Sequence, residues 1–381
     1  MTRTNAKTTK TGQFDFVLFI TVLVMLGAGL IMVFSASSPS ALSKTGKSYV
    51  YVRTQAIAAV GGILAMLAIS KIPYKTWKNF SGLFIYIASI AILLAVKIPG
   101  LGYNAGGAYR WIDLGFTTLQ PSELVKIAMI LFFAKYLTDN KKKIHKFKEG
   151  FIFPLMWLVP IVLILVFVQS HLSATLVIIM VVSILMLMAG TKMRYFVSIG
   201  SVLIIGGCIA LYILATVYGI GGYRIERITA FLDPWSDPTD TGFQVIQSLY
   251  AIGSGGLFGV GLGNSTQKYL YLPEPQNDFI FAVIAEELGF MGCVAIIALF
   301  GIFIWRGALI AMKAPDSYSS LLAIGITSLV GLQAIINISV VTSSVPNTGM
   351  PLPFFSYGGT ALLILLCSVG ILLNISRYQR Q

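Results

Sequence analysis

Residues 269–289 read YLYLPEPQNDFIFAVIAEELG. The stretch opens as polar, proline-punctuated chain and turns into an apolar helix, with Asp278 at the junction. Glu286 and Glu287 follow roughly two helical turns further in, where a membrane helix is expected to carry no charge. Ionisable groups inside a membrane are expensive and rare, and those that persist are generally functional or paired. The stretch therefore marks a membrane span that presents a carboxylate at its surface, and the rest of the chain can be read as the means of presenting it.

The 381 residues are 56% hydrophobic and only 11% charged, with a mean hydropathy of +0.84. Repeated apolar runs of about 20 residues indicate membrane helices, so the expected fold is an all-α polytopic membrane protein, a single transmembrane domain over residues 1–381. The net charge of +13 does not point to nucleic acid. With alternating topology from the first span, most basic residues fall in the cytoplasmic segments, among them Lys71, Lys75, Lys78 and the run Lys141–Lys142–Lys143. That bias follows the positive-inside rule and sets both termini in the cytoplasm. Those lysines also suit anionic membrane lipids. Cys208, Cys293 and Cys367 all lie in apolar spans and read as packing residues. The N-terminal apolar run is too long for a cleaved leader and reads as a retained first helix.

Ten spans are expected, at about 14–35, 50–70, 79–98, 121–137, 151–169, 172–189, 196–218, 278–304, 318–341 and 356–376. Three outer connections exceed simple turns: 99–120, 342–355 and the long extracytoplasmic loop 219–277 between the seventh and eighth spans. Long ordered loops in compact proteins are usually functional, which places the chemistry on the outer face. Residues 243–262, FQVIQSLYAIGSGGLFGVGL, are apolar enough for another crossing, but their glycines weaken a spanning helix. A helix and glycine turn dipping into the outer leaflet is the preferred reading. No inverted internal repeat of the transporter kind is evident.

Metal and nucleotide signatures are absent from the sequence: there is no HExxH and no GxxxxGK[ST], and His145 and His171 are the two histidines. Glu123 and Lys126 lie three residues apart on one helix face, either as a structural ion pair or lining a cavity. Arg110, Arg224, Arg227 and Lys268 are outer-loop cations suited to a phosphate or diphosphate, or alternatively to lipid headgroups. Trp111 suits a sugar face or an interfacial anchor. Ser356 heads Ser-Tyr-Gly-Gly without a GxSxG around it and reads as a helix start allowing close backbone approach, among the substrate-binding candidates with Glu286. One carboxylate with several cations suits transfer of a sugar from a diphospholipid. A base is needed for the attacking hydroxyl, while the diphosphate leaves unprotonated and needs only charge stabilisation. Partial burial would raise the Asp278 pKa towards that of a useful base.

GAYRWIDLG at 107–115, LQPSELVK at 119–126, YRIERITAFLDPW at 223–235, GNSTQKYLYLPE at 263–274, DFIF at 278–281 and PNTGMPLPFFSYGG at 346–359 occur in this order. Over nearly the whole chain they resemble the SEDS family of shape, elongation, division and sporulation proteins, which includes FtsW, RodA and SpoVE, with wording nearer the FtsW and SpoVE branches. The resemblance implies ten helices and a peptidoglycan glycosyltransferase of the bacterial cytoplasmic membrane that polymerises lipid II on the outer face and releases polyprenyl diphosphate. It implies a catalytic Asp278, with Trp111, Glu123 and Lys126 in family motifs, and a class B penicillin-binding protein as transpeptidase partner. No cofactor is required by this chemistry and no metal ligands are assigned, with a divalent cation, Mg or Mn, left open. The chain departs from the family at Gln169-Ser170-His171, where His171 stands in place of a usual aspartate. The rival readings are a lipid II flippase, served by a charged cavity of Glu123, Lys126 and Glu286, and a scaffold that only recruits the transpeptidase.

Overall fold

The computed structural model describes residues 12–105, 108–115, 117–198, 200, 231, 233–236, 238, 242–269 and 272–379. Among these, seven helical stretches are long and apolar enough to cross a membrane, or eight if one bent pair counts as a span. Helix α1 (Phe16–Thr45) starts on Asp15, whose carboxylate accepts from Leu18 N, and stops at Gly46 in the left-handed conformation. Helix α2 (Val50–Ile69) follows. The single span expected at 79–98 is instead α3 (Tyr74–Phe80) and α4 (Leu83–Ala95), bent by 70° at Ser81-Gly82. Helix α5 (Pro121–Asp139) begins with proline at its first position, where the missing N–H costs nothing. Lys148–Val168 is one helical stretch, π-helical at both ends, with α6 (Phe153–Leu163) at its centre. Helix α7 (Leu172–Ala189) ends at left-handed Gly190.

Helix α8 (Phe243–Gly255) lies within the long connection 219–277, and α9 (Ile280–Met312), α10 (Ser317–Val341) and α11 (Gly359–Ser376) follow it. Eight of the ten expected spans coincide with a helix or helix pair long and apolar enough to cross; the one at 121–137 is the helix α5, outside that set, and the one at 196–218 lies mostly outside the described residues. Helix α10 packs against α5, α7 and α9, α11 lies along α2, and α1 packs on α2 and α9. Of the membrane-length helices α10 and α11 are the most enclosed and α2 the least. Ile57 and Leu64 of α2, Phe84 and Ile87 of α4, and Met156 of α6 are exposed, as a lipid-facing belt requires.

The connection after α4 forms an antiparallel three-stranded sheet in the order β1 (Gly102–Ala105), β2 (Ala108–Asp113), β3 (Thr118–Leu119). Tyr103 pairs with Trp111, and Ile112 with Leu119. The sheet carries Arg110 and Trp111 on β2 and leads directly into α5.

Residues 243–262 form a helix followed by a glycine turn. At 13 residues α8 is about 20 Å long at ~1.5 Å per residue, short of the ~30 Å hydrocarbon core, and it packs along α9. Its partner is not a regular helix. At Gly289 α9 is broken, with φ 66° and ψ −167°, a region open essentially to glycine alone. The break strips backbone groups of their helical partners, and the glycine turn takes them up. Val260 N and Gly261 N donate to the carbonyls of Glu286 and Glu287 at 3.0 and 3.1 Å. Phe290 N and Met291 N donate to the carbonyls of Gly256 and Leu257 at 2.9 and 3.1 Å. A side-chain carbon on Gly259 would stand 2.2 Å from the Glu287 carbonyl oxygen, so only glycine allows this approach.

Candidate active site

A cavity of about 420 Å³ opens where β2, α5, the start of α7, the chain before α9, and the loop 349–361 meet. Its size is that of a small-molecule site. Of the ten residues nominated from the sequence, Arg110, Trp111, Glu123, Lys126, Asp278 and Ser356 all line it. They come from four stretches spread over nearly 250 residues of chain.

Arg110 reaches from β2 to the turn between α6 and α7, where its Nε donates to the Gln169 carbonyl (3.2 Å) and its guanidinium to the Ser170 carbonyl (2.6 Å). That contact fastens the sheet to the turn and ties Arg110 to the cavity wall. Glu123 and Lys126 form an i,i+3 ion pair of 2.7 Å, with the lysine buried. Removing either partner would leave the other charge uncompensated in a low-dielectric wall. His171 lines the same cavity, and burial, the Arg110 cation and the Lys126 cation push its pKa down to about 3. Its imidazole is therefore neutral at physiological pH. The Nδ1 atom is buried without a hydrogen-bond partner among the described residues.

Asp278 sits two residues before the first residue of α9, close to the positive end of that helix. Gly349, with φ 66°, packs against it: a side-chain carbon there would lie 3.2 Å from Asp278 Oδ2. Ser356 fastens the loops around the aspartate. Its hydroxyl donates to the Asn277 carbonyl (2.6 Å) and accepts from Leu352 N (2.7 Å), while Tyr357 N donates to the Gln276 carbonyl (2.9 Å). A hydroxyl engaged in this way is a loop fastener, in keeping with the absence of a GxSxG motif.

Two nominated residues are elsewhere. Lys268 is buried in an ion pair with Glu287 at 2.8 Å, and Ser35 of α1 lies 2.6 Å from the same carboxylate. Glu286 is buried and accepts from Thr266 N (2.8 Å), Thr266 Oγ1 (2.9 Å) and the Ser265 hydroxyl. Neither lines the cavity. The adjacent glutamates instead clasp the loop after the glycine turn, because a buried carboxylate must find donors and these are the nearest ones. Arg224 and Arg227 lie outside the described residues. Sequence reasoning missed Gln120, Gln333 and Tyr357 on the cavity wall and Asn337 behind it. Gln333 and Asn337 are polar side chains buried within a span, a signal that was present in the sequence of α10. Among the described residues, no cluster of three or more histidine, cysteine or acidic side chains is placed to hold a metal ion.

The model of the family described as "Cell cycle protein" (FtsW, RodA, SpoVE) matches residues 16–381. The chain is 44% identical over 373 residues to stage V sporulation protein E of Bacillus subtilis (strain 168), covering 98% of this chain and 100% of that one. It is 40% identical over 367 residues to a probable peptidoglycan glycosyltransferase FtsW of Geobacter sp. (strain M18), covering 96% and 98%. A solved structure described as "Structural coordination of polymerization and crosslinking by a peptidoglycan synthase complex" superposes with a TM-score of 0.77 at 28% identity, over 96% of this chain and 99% of that one. Rod shape determining protein RodA of Thermus thermophilus superposes with a TM-score of 0.69 at 25% identity, over 97% and 98%.

Proposed function

The chain belongs to the FtsW/RodA/SpoVE family of cell cycle proteins, and from that premise we propose that it is a peptidoglycan glycosyltransferase polymerising lipid II on the outer face of the bacterial cytoplasmic membrane. The observation that carries the reading is the convergence of Asp278, Arg110 and Lys126 on one cavity. In this reading Asp278 takes the proton from the 4-hydroxyl of the acceptor's terminal GlcNAc. The freed oxygen attacks the anomeric carbon of the donor MurNAc, the bond to the diphosphate breaks, and polyprenyl diphosphate leaves with inversion at carbon. The leaving group needs no acid, because its negative charge is met by Arg110 and Lys126. In the same reading Trp111, on the cavity wall, packs on a sugar ring. Arg224 and Arg227 remain candidates for further diphosphate contacts.

The proposed topology has ten spans with both termini in the cytoplasm, following the basic bias of the sequence. The proposed partner is a class B penicillin-binding protein that crosslinks the product strands. Support for it comes from the likeness to a chain of a peptidoglycan synthase complex. The chemistry requires no resident cofactor, and a divalent cation, Mg or Mn, would act by accompanying the diphosphate. The flippase reading loses one of its supports, since Glu286 is sealed in the loop clasp and not in the cavity.

The test is reconstitution with the transpeptidase partner, its own active site blocked, on lipid II. Glycan chains longer than the substrate disaccharide are expected. A complex that assembles and yields no polymer, but moves lipid II across vesicle membranes, would replace this reading with the flippase.

A further inference from the structure

Three successive backbone carbonyls lead up to α9, and each has its own donor. Gln276 O accepts from Tyr357 N at 2.9 Å, Asn277 O from Ser356 Oγ at 2.6 Å, and Asp278 O from Asn337 Nδ2 at 2.7 Å. The first two donors belong to residues on the cavity wall. Asn337 does not: it lies on α10, only 1% exposed, behind the wall. Its second N–H donates to the Met350 carbonyl at 2.6 Å. One side-chain amide thus spends both its donors on two loops, one carrying Asp278 and the other carrying Gly349. The amide orientation follows from these partners, since a flipped group would set its oxygen against two carbonyl oxygens.

We propose that Asn337 is a positioning residue for Asp278, setting the carboxylate's place by holding the peptide that follows it. This rests on the reading of Asp278 as the general base. The backbone has two soft dihedrals per residue, so holding the Asn277 carbonyl through Ser356 and the Asp278 carbonyl through Asn337 together restricts the direction in which the Asp278 Cα–Cβ bond leaves the chain. The bond to Met350 fixes the other side. Gly349, the neighbour of Met350, is the residue whose missing side chain leaves room for Asp278 Oδ2. Asn337 therefore sets the aspartate and the backbone it rests against with one rigid group. Helix α10 suits the task, being an enclosed helix packed on α5, α7 and α9.

The experiment uses the full chain with its transpeptidase partner, the partner's crosslinking site blocked, and measures initial rates of lipid II polymerisation against lipid II concentration. Wild type, Asn337→Ala, Asn337→Ser and Asp278→Asn are compared as folded, assembled complexes. Displacement of a reacting group by about 1 Å costs on the order of 100-fold in rate. Asn337→Ala is thus expected to lose kcat by that order with KM within about twofold of wild type. Asn337→Ser, which retains a donor, is expected to lose less. A wild-type kcat in folded Asn337→Ala, or a loss expressed as a raised KM, overturns the proposal. If Asn337→Ala does not assemble, Asn337→Ser decides by the same criteria. Should Asp278→Asn polymerise at near wild-type rate, the base assignment itself falls, an outcome distinct from failure of Asn337 alone.

Discussion

Replacing Lys268 with methionine keeps most of the side chain and removes its charge. In the native protein Lys268 and Glu287 are 2.8 Å apart, with side chains 3% and 0% exposed, and the lysine also lies 3.1 Å from Ser35 Oγ. Among the described residues, the variant leaves Glu287 buried with Ser35 as its remaining side-chain donor. Breaking a buried pair from one side costs about 3–5 kcal/mol. At roughly 2 °C per kcal/mol, the low end for larger domains, the apparent melting temperature in detergent is expected to fall by about 6–10 °C. Removing both charges in Lys268→Met/Glu287→Leu replaces the pair with apolar groups, a change often neutral or stabilising. Ser35 then loses its acceptor, a cost of about 1–3 kcal/mol. The double variant is therefore expected to regain about half of the loss. A single variant melting within about 2 °C of wild type, or a double variant less stable than the single, would refute the clasp.

Three further outcomes follow from geometry. Gly289→Ala forces a side chain into a conformation that costs about 1–3 kcal/mol for the backbone alone and sets its Cβ 2.3 Å from Gly259 N, so its thermal stability should drop. Gly27→Ala, with nothing within 4 Å of the new carbon on α1, should instead hold or gain a few tenths to about 1 kcal/mol in the same assay. The folded-state pKa of His171 is lowered from 6.5 to about 3, so between those values the unfolded chain holds the extra proton. Stability is then lost as pH falls through that window, by at most about 1.4 kcal/mol per pH unit from this group. Melting curves at pH 7.5 and 5 should show a smaller drop for His171→Asn than for wild type. An equal drop would contradict a buried neutral imidazole.

The residues that were legible in sequence were those whose cost is local. Asp278 stands at a polar–apolar junction, and Glu123 and Lys126 reveal their pairing by spacing on one helix face. Lys268 and Glu286 were equally conspicuous as charges, but their partners were hidden. Ser35 lies more than 230 residues from Lys268 in the chain, and the loop that folds back on Glu286 does so through a break at Gly289 that no local pattern announces. The helices were read from hydropathy. The bend at Ser81-Gly82 and the sheet of 102–119 were not, because each depends on what the segment packs against. In the sheet the β-forming run Tyr109-Arg110-Trp111-Ile112 was a usable signal. Asn337 was passed over because an asparagine in a span can be any satisfied polar group, and only its two carbonyl partners give it a role.

The central claim is that Asp278 removes the proton from the attacking sugar hydroxyl, and Asp278→Asn tests it most directly. The variant keeps the size of the side chain and the carbonyl held by Asn337, and gives up the basic oxygen. With the proposed transpeptidase partner bound and its crosslinking blocked, glycan chain formation from lipid II is expected to fall by about 100-fold or more, the range of general base catalysis, with complex assembly and lipid II binding preserved. Polymer formed by the assembled variant at a rate near that of wild type would contradict the account.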